Sequence, residues 1–250
     1  KLVESLAKAK SKGYESWQEA KKKSDFKVFL PFFEELVKLR IEEAKQISDQ
    51  YSPWETLAQP FEPELTLKWL NKIFQPLKET LPELIRGINN SKKYHWDLSP
   101  ESQQNLCSKL LDELGRDKDL VVVGKSPHPF SITLGPNDYR ITTRIVEGEP
   151  LSSFLATAHE WGHSIYEQGL PSQSHQWFAW PLGQATSMGI HESQSLFWEN
   201  RIVKSKSFSK RFFKKFVSAG CTLNNYFELW KSINHLEAGL NRVEADELTY

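Results

Sequence analysis

The chain has 250 residues and a mass of 29.0 kDa, enough for one large domain or two small ones around a sizeable buried core. With 39% hydrophobic and 26% charged residues it has the composition of a globular protein and not of a long disordered one. Its 32 basic and 32 acidic residues cancel, which argues against a nucleic-acid partner or a polybasic membrane anchor, and no apolar run is long enough to span a bilayer.

In chain order, the first half reads as helices punctuated by proline. Lys1 to Lys23 carries helical spacing through Leu2, Leu6 and Ala9, and ends in a basic run that suits a solvated face. Asp25 is placed to cap a second helix bearing Phe29, Phe32, Phe33, Leu36, Leu39 and Ala44. Ser52-Pro53 and the Pro60/Pro63 pair break the pattern. Helix is expected again from about Glu64 to Asn89, interrupted near Pro76 and Pro82. Asp97-Leu98-Ser99-Pro100-Glu101 is a helix start, and that helix should end near Gly115.

Residues 119–146 differ. Val121-Val122-Val123, Ser131-Ile132-Thr133-Leu134 and Asp138 to Ile145 are strand-like, with Gly135-Pro136-Asn137-Asp138 a turn between the last two. They predict one small antiparallel sheet. Helices resume after Pro150, the absence of proline from Leu182 to Tyr250 fits several long ones, and Lys214-Lys215 reads as a solvated helix face. The aromatic segment Trp177-Phe178-Ala179-Trp180-Pro181 reads first as core packing, and second as a cleft lining. The two cysteines, Cys107 and Cys221, cannot build a disulfide framework, which points to a reducing, cytoplasmic setting. The chain opens on Lys1 without a signal-peptide pattern and stops at Tyr250 inside an expected helix, so it reads as a fragment. The fold class expected is mainly α with one small antiparallel β-sheet. The expected organisation is a single domain over 1–250, incomplete at its C-terminus, with a helical part (1–118) followed by the sheet and the metal-site helices (119–250).

The chemistry concentrates in His159-Glu160-Trp161-Gly162-His163. Four-residue spacing on a helix puts both imidazoles on one face, one turn apart, where they can share a metal ion. Glu160 then lies beside the ion, placed to take a proton from a metal-bound water as that water attacks a carbonyl. The flanking residues Phe154, Leu155, Ala156, Ala158 and Ile165 are apolar, which argues against an exposed helix with two unrelated histidines. A catalytic zinc site takes three protein ligands and keeps one open position. Glu192, which follows His163 by 29 residues at the start of a second apolar helix, is the leading third ligand; His191 and Glu199 are the alternatives. Glu192 and Glu199, seven residues apart, share a helix face.

Five segments in order give these residues a wider context: His128-Pro129-Phe130, Asp138-Tyr139-Arg140-Ile141-Thr142, the His159–His163 helix, His191-Glu192-Ser193-Gln194, and Asn241-Arg242-Val243-Glu244-Ala245-Asp246. The chain resembles the carboxypeptidase Taq family of zinc metallocarboxypeptidases, marked by HPF, DxRxT, HExxH, HES/GQ and IRxxAD. The last motif departs at its first position, Asn241 for Ile, which the family pattern suggests is a packing position. A sixth family motif, GxxQDxHW, does not occur in this sequence. The resemblance implies a multi-helix, zincin-like body with a deep active-site cleft, and removal of residues from the C-terminal end of peptides with broad specificity. It also implies zinc, with cobalt as a substitute, and a homodimer when the protein is full length.

Under the resemblance His159, His163 and Glu192 bind the metal and Glu160 is the general base. Arg242 is the first choice for gripping the substrate's terminal carboxylate and Arg140 the second, because the guanidinium fork matches both carboxylate oxygens. The other reading of Arg140 is a brace within its sheet, and that of Arg242 an ion pair with Asp246. His128 and His191 are candidates to donate to substrate or to the oxyanion, or else hydrogen-bonded structural histidines. Asp246 is a candidate to hold a ligating histidine in its tautomer. His95, His175 and His235 lack supporting neighbours. The partners expected are peptide substrates, with no nucleic acid and no membrane. The competing functions are a zinc endopeptidase or oligopeptidase, and a non-catalytic zinc- or peptide-binding protein.

Overall fold

The computed structural model describes residues 1–87 and 96–235. Its contacts divide the chain into two compact units, Lys1–Pro76 and Leu77–Tyr250.

The first unit is built on a pair of packed helices, α1 (Leu2–Lys23) and α2 (Leu30–Ile47). Leu6, Gly13, Ser16 and Ala20 recur every three to seven residues and form the buried stripe of α1. Ser24 ends that helix in the left-handed region (φ 50°), and the Asp25 side chain accepts from the Lys27 backbone N–H, opening a short 3-10 turn before α2. Ser52 starts α3 (Pro53–Ala58) with a full capping box: its hydroxyl accepts from the Glu55 N–H, and the Glu55 carboxylate accepts from the Ser52 N–H. The other Glu55 oxygen accepts from the Leu67 N–H at 2.9 Å, which fixes where the next helix begins.

That helix, α4 (Leu67–Gly87), runs without a break through both prolines, where interruptions were expected. The reason is its surface position. Pro76 and Pro82 free the carbonyls of Lys72 and Lys78, both exposed residues, and water can take a carbonyl that no amide reaches.

In the second unit α5 (Pro100–Glu113) starts where expected, with Ser99 as its cap and Pro100 in its first turn, and Gly115 turns the chain away at φ 93°. The strands are β1 (Val121–Lys125), β2 (Phe130–Gly135) and β3 (Asp138–Thr143). The sheet is mixed, not antiparallel as expected: its order is β1-β3-β2, with β3 antiparallel to β2 but parallel to β1. The cause lies in Ser126-Pro127-His128-Pro129. Two prolines hold this link extended, so it cannot fold into a tight hairpin. At about 3.3 Å per residue it instead crosses the end of β3 to reach the far edge, roughly 10 Å away. Thr142 pins the crossing, with its hydroxyl 2.5 Å from that of Ser126 and accepting from the Phe130 N–H at 3.0 Å.

Helix α6 (Pro150–Gln168) is the centre of this unit. One face sends Phe154 and Ala158 into a core with Leu106 and Leu110 of α5, the rings Phe208, Phe212 and Phe216 of α8 (Lys206–Ala219), and Leu229 and Ile233 of α9 (Tyr226–Ile233). Another face sets Trp161 against Val121, Tyr139 and Ile141 of the sheet. Between the two runs a fully bonded polar seam. Gln103 donates to the Leu98 and Val146 carbonyls and accepts from Ser153, while Thr157 donates to the Ser153 carbonyl and touches Thr143. Both cysteines are buried as free thiols, and burial pushes Cys221 up to about 12.

Two side-chain expectations change. Trp177 and Trp180 meet edge to face at the surface and Trp180 is 60% exposed, so this segment is not core. Lys215 is not simply solvated: with Arg211 it grips Glu113, tying α8 to α5. The Lys215 hydrogen bond, then Arg211, holds the Glu113 carboxyl below its ordinary value in spite of partial burial. A carboxyl depressed by folding stabilises the fold above its unfolded value, near 4.5, and loses that contribution as pH falls through the folded value. Glu113→Gln should therefore cost about 1 kcal/mol at neutral pH, a figure kept small by solvent screening, and nothing once the pH is low enough to protonate the native carboxyl. Urea unfolding of both proteins across that pH range reads the difference. No helix among the described residues is long and apolar enough to cross a membrane.

Candidate metal centre

The site is assembled by α6 and by α7 (Met188–Leu196), which continues without a break as a π-helical stretch, Phe197–Val203. Ser187 caps α7, its hydroxyl accepting from the Ile190 N–H at 3.0 Å, so the helix opens just before His191 and Glu192. The two helices meet at Gly162. A Cβ there would lie 2.5 Å from Ser195 Cα and 2.7 Å from the Gln194 carbonyl oxygen, so only glycine permits this approach.

His159 and His163 stand one turn apart with ring centroids 4.9 Å from each other. Their Nε2 atoms lie 3.7 and 3.5 Å from the same Glu192 oxygen. Among the described residues these three form a group able to hold a metal ion. The fit is close: tetrahedral zinc with bonds of about 2.0–2.1 Å separates its ligand atoms by roughly 3.3 Å. Two imidazoles and one carboxylate also make a donor set suited to a divalent transition ion with one position open.

Of the two alternative third ligands, neither sits at this point. Glu199 lies on the opposite edge of the His159 ring, its carboxylate 3.0 Å from Nδ1. His191 stacks obliquely beside His163, with Nδ1 to Nδ1 at 2.6 Å and its own Nε2 2.8 Å from Glu167. Glu167 escaped the sequence reading, although it follows His163 by four residues on one helix and so shares its face.

Glu160 is buried, 7% exposed, in contrast to the partly exposed histidines that flank it. Burial raises its carboxyl to about 7; His159 opposes the rise, and the negative charges of Glu192 and Glu199 add to it. Burial alone would lower His159, but the Glu199 hydrogen bond and charge outweigh it and raise that imidazole. Burial also lowers His163, where the Glu192 hydrogen bond recovers only part of the shift.

Arg140 and His128 are not part of this group. Arg140, on β3, makes a two-pronged ion pair with Asp138 at 2.6 and 3.0 Å. His128 is an exposed residue of the Ser126–Pro129 crossing, and its carbonyl accepts from the Ser126 hydroxyl. Arg242, Asp246 and His95 lie outside the described residues.

Known proteins resemble this chain over nearly its whole length. Thermostable carboxypeptidase 1 of Thermus thermophilus is 35% identical over 269 residues, a match that covers 100% of this chain and 52% of that protein. Carboxypeptidase 1 of Bacillus subtilis is 36% identical, covering 96% of this chain and 49% of that protein. The chain thus spans about half the length of the curated relatives it matches. The solved structure of Trypanosoma cruzi metallocarboxypeptidase 1 superposes with a TM-score of 0.81 at 31% identity, covering 100% of this chain and 52% of that one. The family model for carboxypeptidase Taq (M32) metallopeptidases matches residues 1–250, from the first helix through the helices that carry His159, His163 and Glu192, and the chain belongs to that family.

Proposed function

We propose that this chain carries the metal centre of a carboxypeptidase that removes residues one at a time from the free C-terminus of peptides, with broad specificity. The observation that carries the proposal is the convergence of the His159 and His163 Nε2 atoms on one Glu192 oxygen beside the buried Glu160. His159, His163 and Glu192 would hold the ion, zinc being the metal their chemistry suits best, with cobalt a substitute. Once bound, the ion supplies Lewis-acid polarisation of the scissile carbonyl and makes water more acidic. Glu160 takes the proton of the water that attacks this carbonyl and passes it to the departing amine nitrogen. Family membership supports the choice of carboxypeptidase over other peptidases. Arg242, by its motif position, is proposed to pair with the terminal carboxylate. Arg140 is the second candidate, and its existing pair with Asp138 supports the bracing role as well. His128 is proposed as a donor to substrate. The whole of 1–250 is read as part of one metallopeptidase domain, in a protein that works as a homodimer in the cytoplasm.

The test is a mass-spectrometric time course with the complete natural polypeptide, loaded with zinc, on a peptide and on its C-terminal amide. The expected result is a ladder of products shortened one residue at a time from the free acid, none from the amide, and none after chelation. Internal cuts in both peptides would instead make the protein an endopeptidase and remove the role given to Arg242.

A further inference from the structure

Each ligating histidine has a second ring nitrogen, and what that nitrogen touches decides whether Nε2 can bind a metal. A neutral imidazole carries one ring proton, so a proton on Nδ1 leaves the Nε2 lone pair free. For His159, the Glu199 carboxylate lies 3.0 Å from Nδ1. A carboxylate only accepts, so Nδ1 carries the proton. The other Glu199 oxygen lies 3.4 Å from the Lys204 ammonium, whose side chain is 13% exposed, and this contact fixes the carboxylate in place. Glu192 and Glu199 thus flank the His159 ring at opposite edges, 3.7 Å from Nε2 and 3.0 Å from Nδ1, and only Glu199 accepts its proton.

For His163 the argument runs through one more ring. Glu167 accepts from His191 Nε2 at 2.8 Å, so the His191 proton is on Nε2 and its Nδ1 is an acceptor. His163 Nδ1, 2.6 Å away, must then be the donor, which frees His163 Nε2 to face Glu192.

We propose that Glu199, and Glu167 acting through His191, are positioning residues that lock His159 and His163 in the tautomer that binds the metal. The inference rests on His159, His163 and Glu192 being the ligands. Such outer partners typically change metal affinity by about 10–100-fold.

The direct test is nitrogen NMR of the metal-free complete polypeptide with isotope-labelled histidines, at a pH of about 8.5, above the ordinary histidine range. Ring protons on Nδ1 of His159 and His163 and on Nε2 of His191 are expected. A proton on Nε2 of His159 or His163 would overturn the proposal, and this measurement needs no variant to fold. In parallel, zinc affinity is read by competition with a coloured chelator. Glu199→Ala and Glu167→Ala should each bind about 10–100-fold more weakly, with the Nδ1 preference lost at the affected ring. Affinity within about threefold of wild type, in variants that keep the Nδ1 tautomer, would defeat the inference while sparing the ligand assignment. His159→Ala separates the two readings: if it binds zinc as well as wild type does, the ligand assignment itself fails.

Discussion

Replacing Glu160 by glutamine should leave zinc bound and lower kcat by about 10²–10⁴-fold, the usual contribution of one positioned general base. Glutamine keeps the volume and shape of the side chain but cannot carry the proton from the attacking water to the leaving nitrogen. The side chain is buried at 7% exposure beside two imidazoles, so no solvent carboxylate can replace it. Metal content by elemental analysis should match wild type, because Glu160 is outside the His159, His163 and Glu192 group. The split between retained metal and lost turnover is what distinguishes a base from a ligand. Loss of both together would make Glu160 part of the metal-holding set, and retained turnover would remove it from the mechanism.

A second large effect is expected from one methyl group. Gly162→Ala should lower the melting temperature by roughly 5 °C or more and weaken zinc binding about tenfold or more. In an exposed helix the same change would stabilise by about 1 kcal/mol, since alanine is the better helix former. Here the new Cβ would sit 2.5 Å from Ser195 Cα and 2.7 Å from the Gln194 carbonyl oxygen. Both obstacles are backbone, which has no rotamer to swing aside, so the helices must separate by about 1 Å at a cost of 1–3 kcal/mol or more. The separation moves Glu192, three residues before Ser195, away from the histidines of α6. Thermal melts and a zinc titration of the same sample read both effects, and a rise in melting temperature would show that the contact yields.

What the sequence made legible follows from what sequence carries. The spacing of His159 and His163 is a local, helical fact, and the position of Glu192 at the head of an apolar helix is nearly as local. Both appear where the pattern put them. The strands were also found in place, but their partners were not. Residue type marks Val121–Lys125 as a strand without saying that β3 will come between it and β2; only the stiffness of Ser126–Pro129 decides that. The prolines of α4 misled for a related reason, since their cost depends on whether water reaches the freed carbonyls. Glu199 was noticed and its face anticipated, yet which edge of the His159 ring it meets depends on how two helices pack. Glu167 was readable in principle, one turn beyond His163, but its role appears only when His191 arrives from the other helix.

The widened turn at Phe197–Val203 also limits how this helix can change length over evolution. A π turn holds about one residue more than an α turn, so the segment stores a single-residue insertion without breaking the helix. Removing one residue from the α-helical part between Glu192 and Phe197, with the π turn kept, would turn everything beyond it by about 100° around the axis. Glu192 would keep its place at the head of the helix while Glu199 swung off the His159 ring. An insertion or deletion that a count of residue types would pass as silent would thus uncouple the carboxylate of the metal-capable group from the one paired with His159.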